Sequence, residues 1–130
     1  MKIVRREIPA RVVYEDDLTL ALLDINPVEP GHTLVIPKTP VRNVFDADKD
    51  SWEAVMQTVH RIAPLVRDAV GAKGVHINSN HEPEAGQDVF HLHVHIIPRN
   101  EHSSFALWPK KEMSDEEMDR VAEAIRAKAG

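Results

Sequence analysis

Phe90-His91-Leu92-His93-Val94-His95-Ile96-Ile97-Pro98-Arg99 sets histidine at every second position, with aliphatic residues between. An aromatic and aliphatic run of this kind predicts a β-strand, and Pro98 predicts its end. Successive side chains of a strand point to opposite faces, so His91, His93 and His95 share one face and Leu92, Val94 and Ile96 the other. Imidazoles in a row can donate, accept, attack or ligate, and are costly to build as packing. The strand is therefore read as a site.

Outward from it, Val12-Val13-Tyr14 predicts a short strand that Glu15-Asp16-Asp17 turns. Leu18 to Ile25 predicts a second strand, Asn26-Pro27-Val28-Glu29-Pro30-Gly31 a loop, and His32 to Ile36 a third strand closed by Pro37. No helix intervenes, which suits an antiparallel meander. Trp52, Val55, Met56, Val59, Ile62, Ala63, Val66 and Val70 then fall at helical spacing. Gly71 is the expected stop, and Pro64 is expected to kink the helix. Gly74 to Asn78 predicts a fourth strand, followed by a polar loop from Ser79 to Asp88. Ser114-Asp115-Glu116-Glu117 is a capping-box pattern opening a C-terminal helix over about 114–128, with Met118, Val121, Ala122 and Ile125 on one face. The expected fold class is α+β: an antiparallel five-stranded sheet, one long helix and a C-terminal helix, as a single domain over residues 1–130.

Composition narrows the function. The chain has 130 residues, 42% hydrophobic and 28% charged, and no cysteine, which excludes disulfides and thiolate zinc sites. The N-terminus lacks the apolar core of a secretory signal and no stretch is of membrane-spanning length, so a cytoplasmic location is expected, without a membrane partner. Net charge is −5, with no Lys/Arg cluster beyond Arg5-Arg6 and Lys110-Lys111, which argues against a nucleic-acid partner.

Two chemistries remain open for the three histidines. They can ligate a zinc or copper ion, or one can act as a nucleophile that the others orient. Glu84-Ala85-Gly86-Gln87-Asp88-Val89 precedes them, where a glycine lets backbone amides approach an anion, and Arg99 follows. Those surroundings suit a phosphoryl group attacked in line.

The segment from Gly86 to Ile97 resembles the signature of the histidine triad superfamily. Glu7-Ile8-Pro9-Ala10, Val13-Tyr14-Glu15-Asp16-Asp17, Asp24-Ile25-Asn26-Pro27 and Pro30 to Lys38 are similar, in the same order, to its nucleotide-binding phosphoramidase branch. The resemblance covers roughly Glu7 to Arg99. It implies a hydrolase or transferase acting at the α-phosphate of purine nucleoside phosphoramidates or related nucleotide conjugates, through a nucleotidyl-histidine intermediate. By position in the motif His93 is the nucleophile, His95 sits on the phosphate oxygens and His91 supports the site. Asp24 matches the acid that binds ribose, Ile25 and Leu22 line the base pocket, and Asn80 stands near the phosphate or leaving group, with Asn78 its rival. Gly86, Gln87 and the Val89 backbone N–H form the oxygen cradle. The resemblance implies a homodimer and a small-molecule purine nucleotide as partner. No cofactor and no metal are expected.

Alternatives are a dinucleoside polyphosphate hydrolase, a non-catalytic nucleotide sensor and a metal-binding protein. Three positions depart from the pattern: cysteines of some relatives are absent, Asp88 stands where serine or threonine is common, and Pro40 replaces a histidine. Asp88 leaves the leaving group open, since a carboxylate there repels phosphate or assists an amine. Among the other histidines, His32 is read as a structural hydrogen-bonding group, His60 and His102 as solvated, and His76 as undecided. Trp52 is assigned to core or interface. Trp108 is read either as reaching a partner's site or as anchoring the tail.

Overall fold

The structure is a computed structural model that describes residues 10–101 and 108–130. His102 lies outside the described residues. Five strands, β1 (Val12–Glu15), β2 (Thr19–Leu23), β3 (Thr33–Pro37), β4 (Gly74–Asn78) and β5 (Val94–Arg99), form one antiparallel sheet in the order β1-β2-β3-β5-β4. Helix α1 (Lys49–Val70) lies between β3 and β4 in the chain, and α2 (Asp115–Ala129) ends it.

Local chemistry sets most boundaries. Asp16 makes the first turn by accepting the Leu18 and Thr19 N–H groups at 2.9 and 2.7 Å. Asp48 caps α1 by accepting from Ser51 N–H, and Gly71 ends it in the left-handed conformation, donating to the Arg67 and Asp68 carbonyls. The helix continues through Pro64, which is on its exposed side. Val55, Val59, Ile62, Ala63 and Val66 of α1 pack on Ala21, Val35, Leu92, Val94 and Ile96 of the sheet and the segment entering β5. Each valine, leucine or isoleucine among them, fully buried, contributes about 1.5–3 kcal/mol. Leu20, Leu22 and Ile36 form a smaller cluster. Alternation in β2, β3 and β5 therefore gives one sheet face to α1 and leaves the other for the histidines.

Two expectations are corrected. The strand holding the histidines begins at Val94, not at the start of the alternating run, because the Leu92 N–H donates to the Val41 carbonyl outside the sheet. Nor does Pro98 end it: Pro98 pairs with Val75 inside β5. The β3 pairing stops at Ile96, so a residue without an N–H is tolerated where β5 keeps only β4 as neighbour. Helix α2 has the complete capping box at Ser114 and Glu117 but buries none of its residues.

Candidate active site

The chemistry open to the histidines is decided by their tautomers. His93 is buried, and its Nδ1 lies 2.8 Å from the His91 carbonyl oxygen. A carbonyl only accepts, so Nδ1 carries the proton and Nε2 presents a lone pair. His91 is fixed similarly: its Nε2 donates to the Pro37 carbonyl at 2.8 Å, bracing the segment before β5 against the end of β3. Burial lowers the His91 pKa below the ordinary imidazole value.

His95 is set by a chain of hydrogen bonds. The Val28 N–H donates to His32 Nδ1 at 3.1 Å, which leaves the His32 proton on Nε2. That nitrogen lies 2.9 Å from His95 Nδ1 and donates to it, so His95 holds its own proton on Nε2. Burial pushes the His95 pKa down to about 4, helped by the neighbouring imidazoles His93 and His32 and opposed by Asp24 and Asp88. Burial also lowers His32. The His93 and His95 rings stand edge-on with centroids 5.0 Å apart. A nucleophilic nitrogen thus adjoins a neutral N–H donor.

Gly31 makes this placement possible. Its φ is +92°, and a Cβ there would stand 2.9 Å from Val70 Cγ1, so glycine alone brings the loop against α1 and delivers His32.

Leu22, Asp24, Ile25, Val89, His93 and His95 line one cavity of about 460 Å³, of a size that suits a nucleotide. Leu22 is buried in its wall and Ile25 is exposed. Asp24 accepts the Asn26 N–H at 2.8 Å with Oδ1, and its Oδ2 stands 3.5 Å from His32 Nε2. His91, Asn80, Gly86 and Gln87 are not in the cavity wall. Asn80 Nδ2 reaches the Gly86 carbonyl only at 3.5 Å. Gln87 is buried with its amide fully used: Oε1 accepts from Asn43 Nδ2 and Glu82 N–H, and Nε2 donates to the Arg42 and Val89 carbonyls. Its side chain holds the loop and has no bond left for an anion.

Asp24, His32 and His95 also bring potential ligand atoms within 4.8 Å of one another. Coordination there conflicts with the Val28 bond. A neutral His32 cannot accept at Nδ1 and ligate through Nε2 without becoming an imidazolate. The cluster is built as a hydrogen-bond relay.

His32, read from sequence as structural, is thus the residue that fixes His95. Pro30-Gly31-His32 was its only signal. Asn43 and His81 gave none. Asn43 is buried and donates to Gln87 and Glu82. His81 accepts the Val44 N–H at 2.9 Å, packs near Trp52, and is lowered by burial and by His93. His60 is exposed, and His76 accepts from Arg99 Nε. Trp108 is 84% exposed and anchors nothing within the described residues.

An imidazole with a free Nε2 lone pair, entering an interior strand of an antiparallel sheet and lining an apolar cavity, is an arrangement able to support group transfer on an α+β scaffold. The HIT domain profile matches residues 5–102, and the chain belongs to the histidine triad (HIT) family, a superfamily of nucleotide-binding proteins, largely hydrolases and transferases. It is 45% identical over 98 residues to Protein hit of Bacillus subtilis, covering 75% of this chain and 68% of that one. It is 33% identical over 131 residues to adenylylsulfatase HINT3 of Arabidopsis thaliana, covering 96% of this chain and 66% of the relative. The crystal structure of SMU.412c from Streptococcus mutans superposes with a TM-score of 0.93 at 38% identity, covering 99% of this chain and 83% of that one.

Proposed function

We propose that this protein hydrolyses purine nucleoside phosphoramidates and related conjugates at the α-phosphate, in the cytoplasm and as a homodimer. The observation that carries the reading is the pair of fixed tautomers, with the His93 Nε2 lone pair beside the His95 Nε2–H. His93 Nε2 attacks phosphorus. The P–N bond breaks, its electron pair leaves with the amine, and that nitrogen takes its proton from solvent water, since a neutral His95 would become an imidazolate by giving up its Nε2–H. Water then attacks the nucleotidyl-histidine and loses a proton to solvent, and the P–Nε2 pair goes back to His93, while His95 keeps its Nε2–H as a hydrogen-bond donor to the phosphoryl oxygen. Throughout, the His91 carbonyl accepts from Nδ1–H and favours the cationic imidazole of the intermediate. His95 donates to a phosphoryl oxygen as charge develops there.

Asp24 binds the ribose hydroxyls, for which its two acceptor oxygens are suited. Leu22 and Ile25 contact the base, and the Val89 N–H serves the phosphate. The exposed stripe of Met118, Val121 and Ile125 on α2 supports the homodimer, because it finds no partner among the described residues. The named adenylylsulfatase relative favours a second reading, in which the same adenylyl group departs from an anionic leaving group.

Incubation with adenosine 5′-phosphoramidate is expected to yield AMP, and His93→Ala to lower turnover at least a thousandfold while keeping AMP affinity within about threefold. Quenched turnover should hold an acid-labile AMP adduct on His93. Turnover unchanged in His93→Ala defeats the reading. Asp24→Asn is expected to weaken AMP binding about tenfold in calorimetry.

A further inference from the structure

Asp88 is the residue that the relay and the loop leave unexplained. It lines the cavity that holds His93 and His95 and is exposed to solvent. Its position is fixed by its neighbour, because Gln87 ties the loop to the Arg42 and Val89 carbonyls on either side. Among the described residues, Asp24 and Asp88 are the only carboxylates of the cavity wall, and no lysine or arginine joins them. The two differ in use. Asp24 has one oxygen on the Asn26 N–H and the other facing His32, at the nucleoside end. Asp88 has no hydrogen bond or ion pair among the described residues, and its charge is felt at His95.

A free carboxylate on the wall of that cavity contributes nothing to binding an anionic phosphoryl group and opposes a second negative charge there. Its physical effect is to sort what is attached to phosphorus. We infer that Asp88 is a specificity-determining residue that selects leaving groups bearing an ammonium ion over leaving groups bearing a negative charge. This rests on the reading that the site cleaves nucleotide conjugates. It sets the amine conjugates apart from the sulfate-type conjugate that the second reading would allow. The interaction is with a solvent-exposed charge on the cavity wall, so the expected discrimination between the two signs is about tenfold, and salt reduces it.

The test uses two adenosine 5′-phosphoramidates of equal length, one made from 1,4-diaminobutane and one from 4-aminobutanoate. The kcat/KM ratio, ammonium over carboxylate, is expected to be about ten at low salt. Asp88→Asn should bring the ratio close to one, and Asp88→Lys should invert it. A ratio that is equal in the unaltered chain and in Asp88→Asn overturns the inference. Should neither compound be hydrolysed, the phosphoramidase reading fails by itself. The ratio of the two dissociation constants, measured by calorimetry on His93→Ala and on His93→Ala with Asp88→Asn, then decides the role of Asp88 by the same criterion.

Discussion

The two sides of His93 are both rich in polar side chains, yet they spend their hydrogen bonds differently. On the sheet side, His32 and His95 each use one nitrogen to fix a tautomer, and the last group in the chain, His95 Nε2–H, is left over. On the loop side, Gln87 spends all four of its bonds on Asn43, Glu82, Arg42 and Val89, and nothing is left over. A buried polar group whose capacity is exhausted within the fold holds structure. One with a bond to spare is free to do chemistry. Within this single pocket the two sides should therefore fail in different ways.

The sharpest test exchanges the failures. Gln87→Leu leaves Asn43 Nδ2, the Glu82 N–H and two carbonyls without their partner, and should cost about 2–4 kcal/mol in urea unfolding. His95→Asn should cost less than about 1 kcal/mol yet lower phosphoramidate turnover by about 10²–10³, the usual effect of removing one donor to a developing oxyanion. Comparable stability losses in the two variants would erase the distinction. A smaller effect is expected one step back along the relay. In His32→Leu, His95 Nδ1 loses its donor and the proton is free to occupy either nitrogen. Turnover should fall about 10–10²-fold, and ¹⁵N chemical shifts of His95 should move from a single tautomer to a mixture.

Acidity bears most strongly on the sheet side, which holds the most depressed imidazole. The folded His95 has a pKa of about 4 against 6.5 as the ordinary value, and burial lowers His32 and His91 in the same direction. Unfolding therefore takes up protons in this window. Stability is highest above the unfolded pKa and falls as pH drops from about 6.5 towards 4. His95→Asn should flatten part of that decline in urea midpoints measured at pH 7 and 4.5. Loop-side Gln87→Leu should lower the midpoints at both pH values without changing the slope.

The same contrast separates what could be read from the sequence from what could not. Elements fixed by neighbouring residues were legible. Gly71 ends α1, Gly74–Asn78 is the fourth strand, and Ser114 opens α2. The alternating histidines marked the site, but alternation continues outside a ladder as easily as inside one, and β5 was placed too early. Ranking the histidines needed partners far along the chain: Pro37 for His91 and His32 for His95. The loop clasp was unreadable, since Arg42 and Asn43 sit in an irregular stretch with no periodicity and meet Glu82 and Gln87 only after folding. Chemistry carried by one strand shows in a pattern. Chemistry assembled from two loops does not.

The smallest predicted effect lies inside that clasp, where strain and bonding oppose each other. Glu82 has φ of 84°, a conformation that side chains with a Cβ rarely adopt. It is held there by Arg42 Nε and Nη2 on its carboxylate, by Asn43 Nδ2, and by its own N–H on Gln87 Oε1. Glu82→Ala removes the carboxylate bonds and keeps the strained backbone. Glu82→Gly removes the same bonds and releases the strain. The glycine variant should therefore unfold at a higher urea concentration than the alanine variant, even though glycine loses more chain entropy on folding at an ordinary position. If alanine proves the more stable, the backbone at Glu82 is not strained, and the clasp is held by bonding alone.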